Sequence, residues 1–487
     1  MTRFTARLLS MVSLPLLAAC TVGPDFVPLK ADVPKAWTTN ASDSQPQNDW
    51  WNSFHDPVLS SLIARAAEAN LDLKQAALRI AEARAEGEIA AGDQWPSVGA
   101  NASYASTRFS DKTAQGSLFS NIGGIPIAPG VSIPSFPNPY DQFQVGFDAS
   151  WEPDLFGGVR RSIEAAGADT EAAVEDRSEA LVSLEGEVAR SYVDLRAAQL
   201  KLQITRRDLD TERDVLQLAR DRRTAGLATD LDVSEATAQV TTTEAQLPLL
   251  EREITVDINQ LGQLLAREPG ALRGELEAAE PVPPVPQAIA VGLPGDLLRR
   301  RPDIRAAEAR LHAATARVGV ATAALFPRLT FDASFGTQAE RFPDLADWAS
   351  RFFNVGPSLD IPIFEGGKLR ATVRLQDIRE QEAAVAYADT VLGAVHEVEN
   401  ALVACQTEQT RRTSLEATVQ QNQETLTLAR QRYSGGVTTF LDVLNAERTL
   451  QQSELSAADS TAAASTDLVA LYKALGGGWQ KTAPKGG

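Results

Sequence analysis

Apolar and polar residues alternate one at a time in four separate stretches of the chain, and almost everywhere else they follow a helical period. In Gln142 to Trp151, Phe143, Val145, Phe147, Ala149 and Trp151 alternate with Gln142, Gln144, Gly146, Asp148 and Ser150. A period of two is that of a strand with one apolar and one polar face. Val98, Ala100, Ala102 and Tyr104 alternate in the same way with Ser97, Gly99, Asn101 and Ser103. So do Leu329, Phe331, Ala333 and Phe335 with Arg328, Thr330, Asp332 and Ser334, and Phe353, Val355, Leu359 and Ile361 with Asn354, Gly356, Ser358 and Asp360.

The remaining pattern is helical, and it occurs twice. "LQLARDRRTAGLATDLDV" (Leu216 to Val233) and "LTLARQRYSGGVTTFLDV" (Leu426 to Val443) agree at ten of eighteen positions without a gap, at an offset of 210 residues. "DLKQAALRI" (Asp72 to Ile80) parallels "DIRAAEARL" (Asp303 to Leu311), and Gly157-Gly158 parallels Gly366-Gly367. Such self-similarity marks two copies of one unit. The predicted elements are a helix over 57–94, strands over 97–108 and 141–152, and long helices over 157–224 and 230–267. In the second copy they are 302–325, 328–337, 352–362, 367–434 and 439–475. A helix of 157–224 extends ~100 Å at ~1.5 Å per residue, well beyond a globular helix.

Leu181, Val188, Leu195, Leu202, Leu209 and Leu216 recur every seven residues, the stripe of a coiled coil. The second copy sets Cys405 at the place of Leu195, which makes it a core residue. Glycine at Ala225-Gly226 and Gly435-Gly436 suits the C-terminus of a helix, and the hydroxyls of Thr229, Thr438 and Thr439 are placed to cap the returning one. The result is two antiparallel helical hairpins with defined tips.

The termini and composition refine this. Arg3 and Arg7 precede an apolar stretch too short to span a bilayer, the form of a secretory signal peptide. It ends in Leu17-Ala18-Ala19-Cys20, which resembles the lipobox of bacterial lipoproteins and implies a covalent lipid on Cys20. Thr21 stands where Asp retains many lipoproteins at the inner membrane, which favours the outer membrane. Apolar residues make up 44% of the 487 and charged residues 23%, so the chain is ordered. The net charge of −18 argues against nucleic acid as a partner. His55, His312 and His396 are scattered, and no metal-ligand, nucleophile-elbow or phosphate-loop motif appears, so no enzyme is indicated and no cofactor beyond the lipid. No apolar run outside the leader reaches the ~18 residues of a transmembrane helix. If the protein crosses a membrane, it does so with strands of ~9–11 residues. Four strands have two open edges, so such a barrel closes only by oligomerising, with twelve strands from three chains or eight from two.

The chain is identified as resembling the TolC-like outer-membrane efflux factors, in particular the lipoprotein branch of NodT and OprM type. The resemblance is carried by "CTVGPDFVP" (Cys20 to Pro28), "WWNSFHDPVLSSLI" (Trp50 to Ile63), "WEPDLFGG" (Trp151 to Gly158), "LPGDLLRRRPDIRAAEARL" (Leu293 to Leu311) and "PIFEGGKLR" (Pro362 to Arg370). It implies an α+β membrane protein. Long antiparallel helical hairpins form a periplasmic α-barrel, and four transmembrane strands per chain contribute to a trimeric 12-stranded β-barrel, with an internal two-fold repeat. The corresponding division is a signal peptide over 1–19, a lipidated segment over 20–54, repeats over 55–268 and 294–476 about a connector at 269–293, and a tail at 477–487. The implied function is the outer-membrane exit duct of a tripartite efflux system. Its partners are two further copies in a homotrimer, a periplasmic adaptor (membrane fusion) protein, an inner-membrane RND-type transporter and outer-membrane lipid. The alternatives are the duct of a type I protein secretion system and a structural periplasmic coiled-coil lipoprotein.

The family's gate acids lie just past the second tip. Asp442 matches the first, whereas Asn445 stands where a second Asp is usual. A ring of Asp442 carboxylates would favour cations; a solvated helix face or a local cap is the plainer role. Adaptor contact is implied at the tips, at Arg222, Gly226 and Thr229 and at Arg432, Gly435 and Gly436. On the strands, Phe143, Val145, Phe147 and Ala149 are expected to face lipid, and Gln142, Gln144, Asp148 and Ser150 a water-filled lumen.

Overall fold

The computed structural model describes residues 21–479 apart from 32, 40–43, 45–46, 115, 118–125, 129–130, 133–137 and 287–288. Cys20 and the leader lie outside the described residues. Helices α1 (Pro57–Ala69) and α2 (Leu71–Gly92) lead to strand β1 (Ser97–Thr107). A short ribbon pairs Pro126–Ala128 with Val131–Ser132 before strand β2 (Tyr140–Trp151). Helices α3 (Gly158–Thr224) and α4 (Asp230–Leu264) form the first hairpin. After the connector come α5 (Pro302–Ala323), β3 (Arg328–Ala339), β4 (Arg351–Asp360), α6 (Lys368–Ser434) and α7 (Phe440–Ala474). Both α3 and α6 have 67 residues, and both α4 and α7 have 35, each pair at the 210-residue offset seen in the sequence.

The residues divide into two compact units. Among the described residues, one comprises those within 21–27, 83–169 and 311–382, the other those within 28–82, 170–310 and 383–479.

The first unit contains a four-stranded antiparallel sheet in the order β1-β2-β3-β4. Its register carries the alternation across every strand. Ala100, Phe147, Phe335 and Phe353 form one cross-strand row, and Val98, Ala149, Ala333 and Val355 the next on the same face. The other face carries Gly99, Asp148, Ser334 and Asn354 in one row and Ser97, Ser150, Asp332 and Gly356 in another. Below the sheet, the segment after the leader is strapped to the helices. The Val22 N–H donates to the Phe156 carbonyl at 3.1 Å, Phe26 stacks on His312 at 4.5 Å, and Asp25 pairs with the buried Arg161. Gly157 has φ +82°, and a Cβ there would come within 2.7–2.9 Å of Thr21. Only glycine satisfies both demands at that junction.

The second unit contains the hairpin core. Val188 and Leu195 are fully buried, Leu202, Leu209 and Leu216 nearly so, and Leu181 packs against them half-buried, so the heptad stripe is the seam. Trp50 lies in the same core, stacked on Tyr472 at 5.4 Å and edge-on to Phe54. Cys405 packs half-buried against it, and burial pushes its thiol up to about 12.

One expected element is corrected. The helix read over 57–94 breaks at Asn70, which has ψ 137°. The Asn70 carboxamide oxygen accepts from the N–H groups of Asp72 and Leu73, and its Nδ2 donates to the Leu264 carbonyl at 2.9 Å. Asparagine side chains compete with the helix for backbone donors, and here the competition ends one helix and caps the next.

Candidate functional site

Two regions bear on function, the sheet face and the hairpin tips. On the sheet, Phe147 is 59% exposed, Phe335 56% and Phe353 79%, so the aromatic row is bare in the single chain. An apolar face of this extent marks a binding or membrane surface. The opposite face is bound by polar contacts. Asn101 donates to Asp148, Ser150 donates to Asp332 at 2.8 Å, and Arg328 forks onto Glu152 at 2.6 and 3.2 Å. Trp151 ends its strand with Nε1 bonded to the Gln94 carbonyl, its ring stacked on Phe331. Among the described residues no helix is long and apolar enough to cross a membrane.

At the tips, both long helices end in the same backbone device. The Leu227 N–H reaches the Arg222 carbonyl at 2.8 Å and the Gly226 N–H that of Arg223 at 2.9 Å. In the second hairpin, Val437 reaches Arg432 at 2.9 Å and Gly436 reaches Tyr433 at 3.0 Å. This crossed pair of bonds requires positive φ at the residue past the helix, and Gly226 and Gly436 supply it at +73° and +69°. Gly435 has no such φ and only spaces the turn. Arg222 joins the tips. Its guanidinium lies 4.6 Å from the Tyr433 ring centroid and donates to the Tyr433 carbonyl at 3.1 Å.

The two returning helices are capped differently. Thr229 accepts from the Asp232 N–H at 3.2 Å while Asp232 accepts from the Thr229 N–H at 2.8 Å, a reciprocal box. In the second hairpin Thr439 is the N-cap residue, and the hydroxyls of Thr438 and Thr439 both donate to Asp442. The Asp442 carboxylate also accepts from the Thr439 N–H at 3.0 Å, and these bonds hold its pKa below the usual range. Asp442 is therefore a local cap in the single chain. Asn445 is exposed on α7, three residues further on, and Arg432 and Thr229 are exposed as well.

Sequence reasoning missed a layer of charge buried between the hairpins. Asp208 and Glu212 on α3 meet Glu447 and Glu454 on α7, with Arg207 and Arg430 beside them around a cleft of about 270 Å³. Each carboxylate read alone from the sequence is a solvated helix position; only the pairing of the two hairpins buries them.

With this geometry in view, the chain can be set beside known proteins. The family model for outer membrane efflux protein matches residues 62–267 and again 293–477. The pyoverdine export outer membrane protein OpmQ of Pseudomonas aeruginosa is 34% identical over 483 residues, covering 97% of this chain and 98% of its own. Nodulation protein T of Rhizobium leguminosarum bv. trifolii is 30% identical over 496 residues, covering 100% and 99%. The solved outer-membrane channel OprN superposes with a TM-score of 0.84 at 34% identity, covering 94% of this chain and 100% of that one. These relatives mark the class as an outer-membrane transport duct, not an enzyme. The chain belongs to the outer membrane efflux protein family.

Proposed function

We propose that three copies of the chain associate so that twelve strands close one β-barrel, with the two hairpins of each copy continuing it into the periplasm as an α-barrel. The observation that carries this reading is the two-faced sheet with open edges at β1 and β4. Hydrocarbon tolerates the apolar rows but not the unpaired N–H and C=O groups of an edge, so neighbouring copies must supply the missing partners. Equal helix lengths at a constant offset support an internal two-fold repeat, so each copy contributes two like hairpins.

In this reading the protein is the exit duct of a tripartite efflux system, fed by an inner-membrane RND-type pump through a periplasmic adaptor and passing drugs, metals or other small molecules. The adaptor engages the tips at Arg222, Gly226, Thr229, Arg432, Gly435 and Gly436. The chain is held at the outer membrane by a lipid on Cys20 as well as by its barrel. Detergent extracts of outer membrane should give a particle of three chains by light scattering or native mass spectrometry. A stable monomer soluble in aqueous buffer overturns the barrel.

Asp442 is the acid of the periplasmic entrance, and Asn445 leaves it a single ring. The Asp442→Ala channel should show a raised resting conductance in planar bilayers. Asp232→Ala removes the equivalent cap, a loss of about 0.5–2 kcal/mol of helix stability, and should leave conductance unchanged. Equal behaviour of the two variants assigns Asp442 to the cap alone.

A further inference from the structure

The charged layer between the hairpins separates two apolar clusters. One side is the core around Val188, Leu195 and Leu468; the other is the tip cluster around Leu216, Tyr433, Phe440 and Val443. Within the layer the arginines are already engaged. Arg430 pairs with Glu447 at 2.7 Å, and Arg207 pairs with Glu454, whose other oxygen accepts from Gln423 at 3.3 Å. Glu212 receives only neutral donors from α4, Gln239 at 2.9 Å and Thr243 at 3.0 Å, while Arg448 is turned to the Gln239 oxygen at 2.7 Å. Glu212 is 5% exposed, and its Oε2 has no partner; neither has Oδ2 of Asp208, one helical turn away on the same face, nor Nε2 of Gln451 across the cleft. The only cation among the described residues paired with Asp208 is Arg207, 3.6 Å away and shared with Glu454, and Glu212 forms no ion pair, so the negative charge enclosed here exceeds the positive charge beside it, which is costly in a site shielded from water. Among the described residues no group of three or more carboxylates, imidazoles or thiols is placed to hold a metal ion, so a proton is the charge that fits.

We propose that Asp208 and Glu212 form a proton-operated joint between the two hairpins: a bound proton lets the layer close and holds the tips together, and its loss loosens the second hairpin from the first. The electrostatics agree with this. Burial, with Glu454 and Glu212 adding to it and the Arg207 guanidinium opposing it without cancelling it, raises the Asp208 carboxyl to about 6, and burial also raises Glu212 and Glu447. A carboxyl that binds its proton more tightly in the packed state favours packing fully below its ordinary pKa. That contribution declines as pH rises and is gone above the packed-state value. The window for Asp208 is therefore from about 4 to about 6. The joint concerns hairpin packing itself. Only its consequence, a tighter periplasmic entrance in acid, rests on the function proposed above.

Hydrogen exchange of the full-length protein in detergent tests it, read at amides 205–216 and 443–455 and corrected for intrinsic pH dependence. One proton linked to opening changes protection by roughly tenfold per pH unit within the window. Protection of both segments should therefore rise at least tenfold from pH 7 to pH 4.5 relative to amides 188–198. Asp208→Asn, which mimics the protonated group, should hold it near the acid level throughout, and Glu212→Gln should flatten the profile in part. A wild-type profile that is level, or an unchanged slope in both variants, overturns the joint. Because the readout is local, a failed channel assignment would leave this outcome intact.

Discussion

Phe335→Arg should remove the protein from the outer-membrane fraction, whereas Ser334→Arg, one residue away, should leave it there. Phe335 stands in the row with Ala100, Phe147 and Phe353 near the middle of its strand, and Ser334 pairs with Asp148 on the opposite face. An arginine facing lipid at mid-depth costs about 2–4 kcal/mol, and in the proposed trimer three copies incur it together. The same side chain in the lumen remains hydrated and meets a carboxylate. Membrane fractionation and the heat-resistant oligomer band on gels measure both. Equal assembly of the two variants would mean that the bare aromatic face meets something other than lipid.

The second large effect is expected at Arg301, within "LRRRPDI". Its side chain is 9% exposed. Nε and Nη2 fork onto Asp303 at 3.0 and 2.7 Å, and Nη1 reaches Glu397 at 2.6 Å and the Ala474 carbonyl at 2.9 Å. Burial opposes the charge, but the bonds to Asp303 and the field of Glu397 outweigh it and keep the guanidinium's pKa above its ordinary value. Arg301→Ala leaves Asp303 and the end of α7 without their partner, a loss of about 3–5 kcal/mol. Arg301→Lys keeps the charge without the fork and should fall between. Denaturant midpoints of the purified protein give the order, and an alanine variant as stable as the parent would show the network to be dispensable.

Much of this architecture was legible in the sequence because its elements are long and strictly periodic. The seven-residue leucine stripe, the 210-residue offset and the strand alternation each have one physical reading, and the structure has a seam, equal hairpins and a two-faced sheet in those places. The break at Asn70 was hidden because its cause is partly distant, a bond from its amide to the Leu264 carbonyl. Asp442 was legible as an acid just past a turn, but not the direction of its bonds, since threonine hydroxyls both donate and accept. The buried layer around Asp208 was not legible at all. Charges at helical spacing look solvated until a second hairpin covers them. The strap from Val22 to Phe26 was seen only as a family motif, because its partners Phe156, Arg161 and His312 lie far along the chain.

The open edges of the sheet also determine an order of events in biogenesis. A lone copy exposes the backbone donors and acceptors of β1 and β4 together with a bare aromatic row, so it can neither cross the bilayer alone nor remain long in the periplasm unattended. For the proposed barrel, association must then precede or accompany insertion. A variant weakened where copies meet would be lost to proteolysis as an uninserted chain and would never be seen as a leaky pore.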